Sequence, residues 1–289
     1  MKNKNILVIG GAGFIGSNLC ERLVADNTVF CFDDYSTGSD ENHIEGVHYY
    51  KGGTYHQVLN LLYGNNIDLV YHLGEYSRVE QSFDDYEKCF KSNLDGTRNV
   101  LEYVKNHKIK LVYAGSSTKF TNEHAGYIQS PYAWSKKTNT ELVMKYGEWF
   151  GLDYAITYFY NVYGNREIET GQYATLIAKY KRLMADNQPL PVVEPGIQRR
   201  NFTHIDDTID ALILIGEFGH GDEYGIGSPE SYTVKEVAEL FGGEIQVLPP
   251  RKGNRFAAEV HTEKTRQLGW EPKRRLSDYI TKLKKRNWK

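Results

Sequence analysis

The sequence predicts an α/β protein in which helices cover both faces of a doubly wound parallel sheet. Short apolar runs alternate with longer segments whose apolar residues recur at helical spacing. The first run, Ile6 to Ile9, is apolar at every position, as expected for a strand that is buried on both faces. Strands separated by helices of this length require right-handed crossovers, which make the strands parallel.

The predicted elements of the first half follow one another in alternation. The expected strands are residues 6–9, 28–32, 67–71, 110–114 and 154–160, and the expected helices begin near residues 14, 84 and 131. Ser130 and Pro131 predict the start of the third helix, as an N-cap followed by proline at the first helical position. Beyond the fifth strand the pattern is less regular, with helices expected near 172–186 and 206–218.

Composition argues against several classes of protein. The chain has 35 Lys+Arg and 37 Asp+Glu, a net charge of −2, so a nucleic-acid or anionic-membrane surface is not expected, since both need a strong positive field. No apolar run approaches the length of a membrane span. Three cysteines without a CxxC pair, and histidines without ligand spacing, predict no disulfide framework and no metal site. Because the N-terminus lacks the apolar core of a signal peptide, we expect a cytoplasmic protein.

A glycine-rich turn directly follows the first strand and opens the first helix. Gly10, Gly13 and Gly16 allow a tight turn, a close backbone approach to pyrophosphate and close packing of helix on strand. The amides and the positive end of that helix then bind phosphates. The second strand ends in Asp33, whose carboxylate can accept hydrogen bonds from the adenosine ribose and would repel a 2′-phosphate. The sequence therefore predicts NAD as the cofactor, in preference to NADP.

Tyr132 and Lys136 lie four residues apart on the predicted third helix, so their side chains share one face. Ionising a tyrosine near pH 7 costs about 4 kcal/mol, and one ammonium group about 4 Å away supplies a similar amount at intermediate dielectric. The pair can therefore act as a proton-transfer base.

Three hydroxyl residues, Ser116, Ser117 and Thr118, follow the strand that ends at Ala114. Ligands of doubly wound sheets bind at the carboxyl ends of the strands, so we expect these hydroxyls to face the nicotinamide. The chain therefore carries four features in order: the glycine turn, Asp33, the hydroxyl cluster and the Tyr/Lys pair. Their combination indicates an NAD-dependent active site more specifically than any one feature does.

Together these features resemble the extended short-chain dehydrogenase/reductases that act on nucleotide sugars as NAD-dependent epimerases or dehydratases, including members like UDP-glucose 4-epimerase. Further matching segments are His72-Leu73-Gly74, Asn93-Leu94-Asp95-Gly96-Thr97, Asn161-Val162-Tyr163-Gly164, residues 200–207, residues 251–254 and Leu268-Gly269-Trp270. The resemblance implies an NAD-binding Rossmann domain over residues 1–165 and a smaller α/β lobe over 166–289 that binds the nucleotide sugar, with interleaving elements and an approximate boundary. It also implies a homodimer that pairs the helix near 84–107 with the helix of Tyr132.

The resemblance assigns roles to individual residues. Its catalytic set is Ser116, Tyr132 and Lys136. The cofactor-binding residues that it implies are Gly10, Gly13, Phe14, Ile15, Gly16, Asp33, Leu73, Tyr132 and Lys136. The substrate-binding residues that it implies are Ser117, Thr118, Asn161, Arg200 and Arg251. The two arginines are expected on the diphosphate or ribose, because a guanidinium can hold phosphate oxygens at two points.

The expected reaction is 4-epimerisation of a nucleotide sugar through a transient 4-keto sugar, with Tyr132 as the base and NAD as the hydride carrier. Dehydratases of the family carry an Asp-Glu pair where this chain has Ser117 and Thr118, which cannot do that acid/base work. Dehydratase, decarboxylase and ketosugar reductase/epimerase activities stay open, as does a non-catalytic NAD-binding protein. Glu75 departs from the family pattern, and it places an ionisable group beside the expected cofactor.

Overall fold

A parallel sheet runs through the part of the chain that the computed structural model describes, residues 1–54, 64–117, 130–249 and 260–288. The strands in chain order are β1 (Asn5–Ile9), β2 (Thr28–Asp33), β3 (His48–Lys51), β4 (Leu69–His72), β5 (Lys110–Ala114), β6 (Tyr154–Phe159), β7 (Val162–Tyr163), β8 (Leu190–Val193), β9 (Arg199–Asn201), β10 (Thr203–His204), β11 (Gly221–Ile226), β12 (Ser231–Thr233) and β13 (Ile245–Leu248). The helices are α1 (Phe14–Leu23), α2 (Tyr86–Phe90), α3 (Gly96–His107), α4 (Pro131–Phe150), α5 (Leu176–Ala185), α6 (Ile205–Phe218), α7 (Val234–Phe241), α8 (Glu263–Gln267) and α9 (Leu276–Lys285).

Within these residues the main sheet has seven strands in the order β11-β6-β5-β4-β1-β2-β3. Every neighbouring pair in it is parallel, which confirms the predicted doubly wound architecture. The chain runs from β1 outward to β3 and then returns to place β4 on the other side of β1. This reversal opens a crevice between the carboxyl ends of β1 and β4, where ligands bind in such sheets.

The apolar character of β1 explains its central position. Leu7 and Ile9 face one core, which they share with buried residues of α3 and α4. Ile6 and Val8 face the opposite core, which they share with α1 and α6. Helices therefore cover both faces of the sheet, and a strand in this place must be apolar at successive positions.

The structure confirms one predicted helix start and divides another predicted helix into three segments. The Ser130 side chain accepts a hydrogen bond from the Ala133 amide at 3.1 Å, which confirms the predicted N-cap of α4. The helix predicted near 84–107 is instead divided into α2, a π-helical segment at Lys91–Asp95, and α3. The sequence does not predict strand β3, because His48–Lys51 is a polar edge strand without an apolar run.

The second half of the chain contributes to two places. Helix α6 and strand β11 belong to the layers of the main sheet, whereas α5, α7 and α9 enclose a separate core around Tyr180, Phe241 and Ile280. The boundary near residue 165 stays a prediction. No helix in the described ranges is both long enough and apolar enough to cross a membrane.

Burial of α6 against the sheet gives a test of the fold. Leu212 is fully buried, and its carbonyl accepts a hydrogen bond from the Tyr71 hydroxyl at 3.1 Å. We expect Leu212→Ala to lower the free energy of unfolding by about 3 kcal/mol, because it loses buried apolar surface and leaves a cavity. Urea denaturation followed by circular dichroism measures this loss. Phe218→Ala in the same helix is the control, since Phe218 is 55% exposed and should cost less than about 0.5 kcal/mol; equal losses would contradict the packing.

Candidate active site

A cavity of about 580 Å³ opens where the strand order reverses, at the carboxyl edge of the sheet. The predicted site residues that line it are Gly10, Gly13, Phe14, Ile15, Gly16, Asp33, Leu73, Ser116, Ser117, Tyr132, Lys136 and Asn161. Arg200, on β9, is not part of this lining. Thr118 and Arg251 fall outside the residues that the structure describes, so their roles stay predictions.

The turn after β1 lies directly against the loop after β4. Gly10 has a φ of +83°, and a Cβ at this position would come within 2.6 Å of the Gly74 Cα. A Cβ on Gly16 would overlap the carbonyl of Gly10. Only glycine fits at these positions, and Gly13 is the N-cap residue of α1, with no side-chain cap on the helix amides. The start of α1 is therefore a backbone cradle of the kind that binds a diphosphate.

Asp33 stands at the end of β2 on the wall of the same cavity. Its Oδ2 accepts a hydrogen bond from the Ala12 amide at 2.9 Å, and its Oδ1 accepts one from the Tyr35 amide at 2.8 Å. Burial raises the pKa of Asp33, and the two amides oppose that rise. Each carboxylate oxygen keeps a further lone pair, so Asp33 can still accept from a ribose hydroxyl. The cradle and Asp33 together fit NAD.

Three predicted catalytic residues reach the cavity from neighbouring elements. Ser116 follows β5, while Tyr132 and Lys136 lie in the first two turns of α4. The Tyr132 amide donates to the Ser82 hydroxyl at 3.3 Å, and Lys136 Nζ donates to the Ala114 carbonyl at 2.6 Å. These contacts fix the start of α4 against the end of β5 and against the 3-10 turn Gln81–Phe83.

Glu75 is the centre of a buried hydrogen-bond cluster behind Lys136. Its side chain is 1% exposed, and its Oε2 accepts a hydrogen bond from Lys136 Nζ. Its Oε1 accepts from the Thr97 hydroxyl at 2.5 Å, the Asn139 amide at 2.9 Å and the Tyr113 hydroxyl at 3.1 Å. Burial by itself would raise the pKa of Glu75, but the Lys136 ammonium and the surrounding donors outweigh burial and lower it. Glu75 is therefore a carboxylate.

His72 supports this cluster from the end of β4. Its Nε2 lies 3.1 Å from the Thr97 hydroxyl, and its Nδ1 has no partner among the described residues. Burial lowers the pKa of His72 to about 4, with Lys136 acting in the same direction and Glu75 against it, so the ring is neutral near pH 7. Because Thr97 gives its own proton to Glu75, we assign the ring proton to Nε2, which donates to Thr97.

Asn93 joins the loop after β4 to α4. It lies in the π-helical segment and is fully buried. Its side-chain amide donates to the Ser135 hydroxyl at 2.9 Å and to the Tyr76 carbonyl at 3.1 Å, while its oxygen accepts from the Tyr76 amide at 2.8 Å. Local π-helical turns are frequent at functional sites, and this one aims an amide at the helix that carries Tyr132.

Arg78 also lines the cavity wall, although it belongs to none of the motifs in the sequence. It donates to the Tyr173 carbonyl at 2.6 Å and to Ser77, and it forms no ion pair with a carboxylate among the described residues. Burial lowers the pKa of Arg78, whereas Tyr132 and Tyr173 act in the opposite direction. Its position three residues after Glu75, just beyond a strand end, was the available signal.

Glu167 is a second residue of the cavity wall that belongs to no motif in the sequence. It lies three residues after the Asn161–Gly164 segment. It lines the cavity and is 9% exposed. The Gly164 amide donates to its Oε2 at 2.8 Å, and the Thr175 hydroxyl donates to its Oε1 at 2.5 Å. Burial raises the pKa of Glu167 to about 7 in spite of these two donors, so a substantial protonated fraction exists near neutral pH.

Known proteins similar to this chain include sequence relatives and solved structures with the same fold. The model of the NAD dependent epimerase/dehydratase family matches residues 6–227. A putative UDP-glucose 4-epimerase from Methanocaldococcus jannaschii is 28% identical over 301 residues, which cover 98% of this chain and 97% of that protein. UDP-glucuronic acid decarboxylase 3 from Arabidopsis thaliana is 28% identical over 302 residues, covering 96% of this chain and 86% of that protein. The solved structure of UDP-glucose 4-epimerase from Thermus thermophilus, a complex with NAD, has a TM-score of 0.85 at 26% identity and 96% coverage of each chain.

The raised pKa of Glu167 predicts a dependence of stability on pH. Burial raises the pKa of Glu167 in the folded state, so the protonated side chain stabilises the fold. This contribution to the free energy of unfolding is fully present below the ordinary pKa of 4.5 and is lost as the pH rises through about 7. Glutamine keeps an acceptor for Gly164 and a donor for Thr175 but does not ionise. We expect Glu167→Gln to raise the free energy of unfolding by up to about 3 kcal/mol near pH 8 and by much less near pH 5.

Urea denaturation at the two pH values measures this difference. Glu169→Gln is the matched control, because the Glu169 side chain is 42% exposed and pairs with Lys181 at the surface. A gain from Glu167→Gln that is the same at both pH values would contradict the assignment.

Proposed function

The chain belongs to the NAD-dependent epimerase/dehydratase family, and we propose that it is a nucleotide-sugar 4-epimerase that works through a transient 4-keto sugar. One observation carries this proposal: Ser116, Tyr132 and Lys136 line the same cavity as the glycine turn and Asp33. NAD, when bound, supplies the hydride acceptor and donor for C4.

The residues of the chain divide the remaining work. Tyr132 removes the proton of the 4-hydroxyl group and later returns it, and Ser116 donates a hydrogen bond to the same oxygen. Lys136, held by the Ala114 carbonyl, stabilises the phenolate of Tyr132. Rotation of the 4-keto sugar within the cavity then exposes its opposite face, and this last step needs no further acid or base.

The two predicted parts of the chain divide the binding. The NAD-binding residues lie within residues 1–165, from the glycine turn to Lys136. Asn161 and Ser117 line the cavity, and we propose that they and Thr118 contact the substrate. Arg200 and Arg251 are proposed to hold the diphosphate or ribose of the nucleotide from the side of the lobe, residues 166–289.

Arg78 favours a second candidate, decarboxylation of a nucleotide-linked uronic acid. A guanidinium that lines the cavity without a carboxylate partner among the described residues suits a carboxylate on the sugar ring. The Arabidopsis relative is named as a decarboxylase of UDP-glucuronic acid. Dehydration is less supported, because Ser117 stands where dehydratases of the family carry an acidic residue.

Incubation with UDP-, GDP-, dTDP- and CDP-linked sugars, followed by NMR, tests the reaction. We expect interconversion of 4-epimers, and we expect Tyr132→Phe to reduce turnover by about 10³-fold, since proton transfer by a positioned base contributes about 10² to 10⁴-fold. Tyr146→Phe is the matched control on the same helix, because its hydroxyl bonds Glu102 away from the cavity.

Other products would assign other reactions. Loss of water to give a 4-keto-6-deoxy sugar identifies a dehydratase, and release of CO₂ from a uronic acid identifies a decarboxylase. Full activity of Tyr132→Phe would refute Tyr132 as the base. Bound NAD without turnover of any nucleotide sugar would favour the non-catalytic alternative.

A homodimer is also part of the proposal, and an exposed apolar patch supports it. The patch consists of Phe83 (58% exposed), Tyr86 (50%), Trp134 (43%) and the half-buried Phe90. The Phe90 ring lies 5.4 Å from Trp134 and 6.3 Å from Tyr86, so the patch joins α2 to α4. Contiguous exposed apolar groups of this kind mark interaction surfaces.

Sedimentation equilibrium tests the dimer. We expect the wild type to have twice the mass of one chain and Phe90→Glu to have the mass of one chain, because an unpaired charge cannot be buried in an apolar interface. Phe218→Glu, at an exposed position on α6, should leave the dimer intact. A wild type that is monomeric at working concentration would remove the dimer from the proposal.

A reducing compartment such as the cytoplasm fits the three cysteines. Cys20, Cys31 and Cys89 are buried free thiols. Burial, and to a lesser degree Asp33, raises the pKa of Cys20 to about 12, which keeps this thiol protonated and unreactive.

A further inference from the structure

Lys136, the proposed catalytic lysine, forms an ion pair with the buried carboxylate of Glu75. This pair affects the environment of Tyr132, the proposed base. On the premise that Tyr132 is the base, we infer that Glu75 is a positioning residue that fixes the ammonium group of Lys136 and offsets part of its charge. A change at Glu75 should therefore alter how strongly Lys136 stabilises the phenolate of Tyr132.

The position of Lys136 is set by its donors. An ammonium group has three N–H donors, of which one goes to Glu75 Oε2 and one to the Ala114 carbonyl at 2.6 Å. Lys136 is only 4% exposed. Among the described residues the third donor has no hydrogen-bond acceptor, and Lys136 also lines the cavity.

The surroundings of Glu75 require a carboxylate. Thr97, Asn139 and Tyr113 all donate to Oε1, and Lys136 donates to Oε2. A glutamine would turn an NH₂ group toward donors on one side or the other, because it has a single acceptor oxygen. Removal of the charge therefore also disturbs the hydrogen bonds.

The other titratable groups that face Glu75 are neutral. Burial lowers the pKa of His72 to about 4, and burial raises the pKa values of Tyr113 and Cys89. The ion pair of Glu75 with Lys136 is therefore the charged unit in this cluster. The negative charge of Glu75 offsets part of the positive charge of Lys136 at any group near the pair.

Tyr113 and Arg78 interact electrostatically with Tyr132, and Lys136 lies one helical turn after Tyr132 on α4. Arg78 lies on the loop after β4 and donates to the Tyr173 carbonyl rather than to Glu75. A substitution at Glu75 leaves this guanidinium in place. The change at Tyr132 would therefore come from the unpaired ammonium of Lys136.

Glu75→Gln in the full chain tests the inference with two readouts. We expect the acid limb of the kcat/KM profile against pH to move down by about one pH unit. The plateau of kcat should fall at least about tenfold, because Lys136 loses a fixed position. The second readout is the NMR titration midpoint of Tyr132 in protein labelled with ¹³C-tyrosine, without substrate, the signal being assigned by its absence in Tyr132→Phe. This midpoint should move down by the same amount.

Two further variants separate charge from position. Glu75→Asp retains the carboxylate charge on a side chain that is one methylene shorter. The plateau of kcat should therefore fall, while the NMR titration midpoint of Tyr132 stays at the wild-type value. If Glu75→Gln does not fold, the Tyr132 midpoint in Glu75→Asp tests the inference. Glu102→Gln is the matched control, because Glu102 accepts from the Tyr146 hydroxyl at 2.5 Å and from Lys105 at 2.6 Å away from the cavity, and it should change neither readout.

An unmoved midpoint in Glu75→Gln would overturn the inference, and so would a midpoint in Glu75→Asp that falls as it does in Glu75→Gln. The NMR midpoint needs no substrate. Absence of turnover on every nucleotide sugar would therefore count against the proposed function and leave this test valid.

Discussion

The buried carboxylate of Glu75 is the constraint on which the geometry of the site depends. Its donors come from three elements: Thr97 on α3, Tyr113 on β5, and Lys136 and Asn139 on α4. A carboxylate without these donors would cost several kcal/mol to bury. The loop after β4, the adjacent helices and the neighbouring strand are therefore held in one arrangement, and Tyr132 is placed by the same α4 helix that carries Lys136.

The sequence predicts the parts of the fold in which local chemistry determines structure. The apolar run of β1, the glycine turn and the Ser130-Pro131 start of α4 each act through their own backbone, and the structure contains all three. Edge strand β3 carries no apolar run, and the π-helical interruption before α3 depends on Asn93 reaching Tyr76 and Ser135. Contacts between residues that are distant in the chain produce no periodic pattern in the sequence.

The candidate site shows the same division between local and tertiary signals. The Tyr132/Lys136 pair is recognisable because its spacing is helical, and Asp33 because it ends a strand. Arg78 and Glu167 come to the cavity wall from a loop after β4 and from the segment after β7. Among the described residues Arg78 has no carboxylate partner, and Glu167 is buried. Both properties exist only in the folded chain, since the segments that surround these residues are distant in sequence.

Two glutamates on the cavity wall show how surroundings decide the chemistry of one residue type. Both Glu75 and Glu167 are buried, and burial alone raises the pKa of either carboxyl. Glu75 has an ammonium partner in addition to neutral donors, so its pKa falls, whereas Glu167 has two neutral donors and its pKa rises to about 7. One carboxyl is therefore a fixed charge, and the other can exchange a proton near neutral pH.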